Sequence, residues 1–188
     1  MVKSNSKVSA SGSVTRGGAS ALSIKEFGVF EFVVRDAGGK VKEVKKATNA
    51  LTTVGATRIL ELWRIGTGDT SLHVGLMEGA TGALPTSETL QSHTWVEADW
   101  TATAPYARQT WAPGTPVAGT LTAATSSWNM AGLTSGSQVL TGAFLANSDA
   151  AANDTGKQLI ATSAFTGGST ITLGVDDTLT ITFTITLS

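Results

Sequence analysis

The chain has 188 residues, enough for one domain with a real hydrophobic core plus some extra segments. It contains no cysteine, which excludes disulfide bridges and thiolate metal sites. No apolar run reaches the roughly 20 residues that a membrane helix needs. Only 14% of the residues are charged, against about 25% in typical soluble domains. A surface rich in Gly, Ser and Thr suits a chain that packs against other chains, or a secreted β-protein with a neutral exterior. The net charge of −1 hides a split. Residues 1–64 carry eleven basic and five acidic side chains, and residues 65–188 carry two and nine, so the first part is +6 and the rest −7. Such asymmetry suggests different partners for the two parts, or a dipolar monomer.

Residues 1–22, MVKSNSKVSASGSVTRGGASAL, form a Ser/Gly/Lys tail with little to bury. The start is basic but has no apolar centre, so it does not read as a secretory signal. Basic and aromatic residues do not interleave there, so it does not read as a nucleic-acid arm either. It is expected to be an extended arm lying on a neighbouring subunit. Residues 23–188 are expected to form a single β-sandwich domain that opens with a hairpin and a helix.

The hairpin spans 24–49. IKEFGVFEFVVRD is rich in Phe and Val, Asp36-Ala37-Gly38-Gly39 supplies the turn, and KVKEVKKA returns. Phe30, Phe32 and Val34 share one face by the period of two. The return arm carries Lys40, Lys42, Lys45 and Lys46, either to blunt a sheet edge or to form a basic docking surface. Asn49 reads as a helix N-cap. Leu51, Val54, Ile59, Leu62 and Ile65 then fall roughly on one face, predicting a short helix near 50–64 that Gly66-Thr67-Gly68 ends.

The signals that follow are β and turn. Leu72, Val74 and Leu76 alternate in SLHVGLM, and PTSETLQ suggests one helical turn. YARQTW, SQVLTGAFLAN, KQLIATSAF and STITLGV read as strands between Gly, Asn and Asp turns. In the last strand Leu179, Ile181, Phe183, Ile185 and Leu187 alternate with threonines. Short strands with frequent turns predict an all-β antiparallel sandwich or jelly roll.

Catalytic chemistry is poorly represented. His73 and His93 are the two histidines, and each is expected to be structural. No nucleophile elbow, P-loop or dinucleotide fingerprint occurs. NSDAAANDTG carries Asp149, Asn153 and Asp154 without the spacing of a calcium loop, so it reads as a polar turn. Asn153-Asp154-Thr155 matches the glycosylation triplet by chance. No catalytic residue, metal ligand or cofactor is expected. Trp63, Trp95, Trp100, Trp111 and Trp128 are core or interface anchors, or else a platform for sugars.

The order of these signals resembles a group of tailed-bacteriophage virion proteins. The matching residues are the hairpin FEFVVRDAGGKV, ending at Val41, and Asn49-Ala50-Leu51-Thr52-Thr53-Val54-Gly55. LHVGLM, Pro85-Thr86-Ser87-Glu88-Thr89-Leu90 and Tyr106-Ala107-Arg108-Gln109 follow in turn. The match closes on Gly156 to Ala161 and Gly174 through Leu187. The resemblance covers about residues 27–188, and its motifs are fold punctuation rather than active-site residues. It implies a non-enzymatic structural protein of the particle, made in the bacterial host cytoplasm. That protein would decorate or cement the capsid surface. Its partners would be the major capsid protein and sister copies in a homo-oligomer, a trimer among the options, with no direct contact to nucleic acid or membrane. The candidate interface residues are Lys3, Lys7 and Arg16 in the arm and Lys42, Lys45 and Lys46 in the hairpin. A tail or fibre component and a carbohydrate-binding β module are the alternatives.

Overall fold

A computed structural model describes residues 7–8, 13–15, 22–23, 28–52, 55, 72–79, 89–112, 120–122, 125–134 and 136–186. Sixteen strands follow one another along the described residues: β1 (Lys7–Val8), β2 (Ser13–Thr15), β3 (Leu22–Ser23), β4 (Val29–Arg35), β5 (Val41–Thr48), β6 (Ala50–Leu51), β7 (Leu72–Glu78), β8 (Val96–Glu97), β9 (Gln109–Trp111), β10 (Thr120–Thr122), β11 (Ser126–Asn129), β12 (Ser137–Leu140), β13 (Gly142–Ala146), β14 (Leu159–Ala164), β15 (Ile171–Gly174) and β16 (Thr178–Thr186). Every pairing among them is antiparallel. The fold is the all-β sandwich that the alternation predicts.

One sheet has the order β10-β16-β4-β5, with β11 also paired to β16. The second has the order β6-β14-β13-β7-β8, with β9 also paired to β7. Phe30, Phe32, Val34, Leu179, Ile181 and Phe183 from the first pack in one core with Leu72, Val74, Leu76, Ala143 and Leu145 from the second. Phe30 stacks on Phe183 with ring centroids 4.3 Å apart. Fully burying such a side chain contributes about 1.5–3 kcal/mol. The predicted hairpin is β4–β5, with register Phe30↔Ala47 and Phe32↔Lys45. Asp36 closes its turn by accepting hydrogen bonds from Gly38 N–H and Lys40 N–H on one carboxylate oxygen. In β16 the residues Leu179, Ile181, Phe183 and Ile185 are buried and Thr180, Thr182 and Thr184 half-buried, the alternation expected of a two-faced strand.

The second sheet departs from simple alternation because both its faces are covered. Met77, Phe144, Ala146 and Leu159 on its outer side are roofed by Leu90 and Trp95. All five residues of β13 are therefore buried, and its sequence GAFLA reads as a continuous apolar run.

Three expectations change. Asn49 is not a helix cap. It links β5 to β6, its N–H donates to Gly28 C=O at 3.1 Å, and Ala50–Leu51 extend the second sheet by pairing with Ala161 and Thr162. Cap geometry falls on Thr52, whose hydroxyl accepts from Gly55 N–H at 2.9 Å and donates to Leu159 C=O at 2.5 Å. Gly55 is helical, and a Cβ there would lie 1.9 Å from Ile160 O, so only glycine allows this approach. The remainder of the predicted helix near 50–64 lies outside the described residues. The turn expected in PTSETLQ is a bridge between Thr89 and Ser92, with 85–88 outside the described residues. The arm is locally extended, but its strands fold back into a separate sheet, β1-β2-β3. Short Ser-rich stretches satisfy their backbone this way when no long partner strand is at hand.

Candidate functional site

Four of the six predicted interface residues, Lys7, Lys42, Lys45 and Lys46, lie among the described residues. Lys3 and Arg16 lie outside the described residues. Lys7 sits in β1 opposite Thr15. Lys42, Lys45 and Lys46 lie on β5, the edge of the first sheet, and each meets a carboxylate. Lys42 reaches the buried Asp177 at 2.6 Å, Lys45 lies 3.0 Å from Glu43, and Lys46 lies 2.7 Å from Glu31. Lys45 also donates to Thr170 C=O and stands over the Phe165 ring. A lysine turned inward on an edge strand, as Lys45 is here, is a device against edge-to-edge pairing.

The most constructed polar site lies elsewhere. Arg108, in YARQ just before β9, is buried, and all five of its N–H donors are used. Nε and Nη2 donate to the two oxygens of Glu97 at 2.8 and 2.7 Å. Nη1 and Nη2 donate to the two oxygens of Asp154 at 2.7 and 3.0 Å, and Nη1 also reaches Ser148 C=O at 3.2 Å. The guanidinium lies 5.0 Å from the centroid of Phe144. Phe144 in turn fills the space left by Gly75, where a Cβ would sit 2.1 Å from the ring. Burial opposes the charge on Arg108, but the hydrogen bonds and charges of Glu97 and Asp154 outweigh it and hold the group above its already high range.

Tyr106 extends this network. Its hydroxyl donates to Glu97 at 2.7 Å and accepts from Leu76 N–H at 3.0 Å. Burial and the neighbouring Glu97 charge push the phenol well above its usual range. Trp128 Nε1 donates to Ala107 C=O at 2.8 Å, which fixes the intervening residue. The network therefore ties β8, the strand entering β9 and the 147–154 loop into one unit. A cleft of about 340 Å³ opens beside it, lined by Glu97, Asp99, Tyr106, Arg108 and Asp149. With every donor of the arginine spent within the protein, the constellation fixes loops and leaves no free electrophile or proton shuttle at Arg108.

Sequence reasoning read YARQ as strand punctuation and NSDAAANDTG as an isolated turn, and missed that Asp154 belongs to Arg108. Opposite charges in a charge-poor stretch were the available signal, since Arg108 and Lys157 are the only two basic residues after position 64. Trp95, Trp100, Trp111 and Trp128 are buried, so these four offer no flat ring to a sugar. Trp63 lies outside the described residues. His93 stacks on Trp95 at 4.1 Å and His73 lies in β7. Among the described residues no group of His, Asp and Glu side chains is arranged to hold a metal ion, and no helix is long and apolar enough to cross a membrane.

Comparison with protein-family models, curated proteins and solved structures gave no match.

Proposed function

We propose that this chain is a non-enzymatic structural protein of a bacteriophage particle, seated on the capsid as a decorating or cementing subunit. What carries the proposal is where the motif residues of the virion-like layout fall. Asp36 closes the hairpin turn, Thr52 caps the chain entering the next segment, Tyr106 and Arg108 lock two loops, and Asp177 accepts from Gly174 N–H at 2.8 Å to set the turn before β16. The residues behind the resemblance are the ones that determine the path of this chain, which supports a shared architecture over a chance of composition. The meander β1–β3 supports a docking role, because among the described residues its strands pair only with one another. Residues 1–22 carry three basic side chains and no acidic one, a charge suited to an acidic shell. Repetition by particle symmetry lets weak contacts of this kind add up.

The test is a density gradient of particles from the producing bacterium, probed with an antibody against the chain. The protein should band with the particles and be reachable on their surface by gold-labelled antibody. Protein that stays in the soluble fractions while the particles band would overturn the proposal. Label confined to the tail would replace the capsid location with the tail alternative. Deleting residues 1–22 should leave the sandwich folded and weaken particle attachment.

A further inference from the structure

The outer face of the first sheet carries a pattern that complements itself. Its rows follow from the register across four strands. Ser127, Thr180, Val33 and Val44 form one row; Thr182, Glu31 and Lys46 the next; Thr184, Val29 and Thr48 the third. None of these side chains belongs to the core, and Val44 is 50% exposed at the centre of the β4–β5 ribbon. Glu31 and Lys46 are the only charges in these three rows, side by side on adjacent strands, so the rows are neutral with their positive side on β5 and their negative side on β4.

We infer that this face makes a two-fold contact with a second copy of the chain. A two-fold axis parallel to the strands and midway between β4 and β5 lays β4 of one copy over β5 of the other without changing the height of any row. Glu31 then faces the Lys46 position of the second copy, Lys46 faces its Glu31, and Val33 and Val44 face each other in both directions. Two ion pairs and two apolar pairs form at once, the self-complementary pattern that a two-fold interface requires. The ribbon is small. Two strands at about 4.8 Å and seven residues at about 3.4 Å give roughly 10 by 24 Å, far below the ~800 Å² that each partner of a standard interface buries. The contact is therefore weak and counts where copies are held at high local concentration. It concerns only sister copies and does not rest on the capsid proposal.

The experiment is sedimentation equilibrium of the full chain loaded to about 1 mM, in the range of small transient contacts. The weight-average mass should rise from 19.2 kDa toward twice that value. Glu31→Lys and Lys46→Glu should each associate about tenfold more weakly, because like charges then face each other twice. A 1:1 mixture of the two variants should recover association. The new lysine at position 31 of one variant then meets the new glutamate at position 46 of the other, while the untouched Lys46 and Glu31 still pair. The bridge within each copy is broken in both variants, so recovery on mixing cannot come from repair of the fold. Val44→Asp should abolish association in every combination, with circular dichroism showing a folded chain. Wild type that remains monomeric at the highest concentration overturns the inference. Association that passes straight to trimers, or a mixture no stronger than its components, overturns it too.

Discussion

The chain contains a single tyrosine, so the ultraviolet absorbance of phenolate reports Tyr106 alone. In the folded protein its hydroxyl is held between Leu76 N–H and the Glu97 carboxylate, and burial together with that negative neighbour favours the neutral phenol. The unfolded chain has neither influence and releases its proton near pH 10. The folded pKa is the higher one, so the stabilisation is complete below pH 10. It declines as pH rises from there toward the folded value, at about 1.4 kcal/mol per pH unit. Tyr106→Phe removes this dependence and leaves Leu76 N–H without its acceptor, at a cost of about 1–3 kcal/mol at neutral pH. Wild type should therefore lead the variant at pH 7, and the gap should close above pH 10. Urea melts at stepped pH measure the gap, and absorbance and tryptophan fluorescence followed together show when the phenol ionises. In wild type the phenolate signal should appear with the fluorescence change of unfolding. Phenolate rising near pH 10 in a chain with unchanged fluorescence, or a gap constant with pH, would refute the assignment.

Replacing Arg108 by Met leaves Glu97 and Asp154 as uncompensated, largely buried charges, and should cost about 3–5 kcal/mol in urea melts; Arg108→Lys should recover only part, because an ammonium cannot span both carboxylates. Gly75→Ala forces the Phe144 ring off its seat beneath Arg108 and should cost about 1–3 kcal/mol, with a thermal midpoint lower by roughly 2–12 °C. Lys42→Gln should destabilise by about 1–2 kcal/mol because Asp177 is buried, whereas Lys46→Gln, whose bridge to Glu31 is exposed, should stay within about 1 kcal/mol in the same denaturant assay.

Sequence periodicity located the elements whose two faces meet different surroundings. The alternation in β16, the Phe/Val face of β4 and the Asp36 turn were all legible because each is a local pattern with a local cause. Asn49 was misread for a related reason. Its side chain suits a cap, but the unpaired edge of β14, more than 100 residues away in sequence, draws Ala50 and Leu51 into a strand first. The Arg108 network was illegible for want of any fixed spacing. Glu97 precedes the arginine by eleven residues and Asp154 follows it by 46, and only the packing of the second sheet beneath a roof of loops brings them together. The β5 lysines left edge-blunting and docking both open, because sequence displays charges but not the carboxylates they meet.

The place of β16 in its sheet bears on how the molecule is made. It is the last strand of the sandwich in chain order, yet it sits inside the sheet, with β4 along one side and β10 and β11 along the other. During translation β4 emerges with Phe30 and Phe32 exposed, and it waits for about 150 further residues, roughly 10–30 s at ribosomal speed, before Phe183 arrives to cover them. No stretch of nascent chain ending before β16 can close the first sheet, so folding of the sandwich is dominated by long-range pairing. Until β16 emerges, β4 has an open edge and a sticky aromatic face, the kind of surface that chaperones bind.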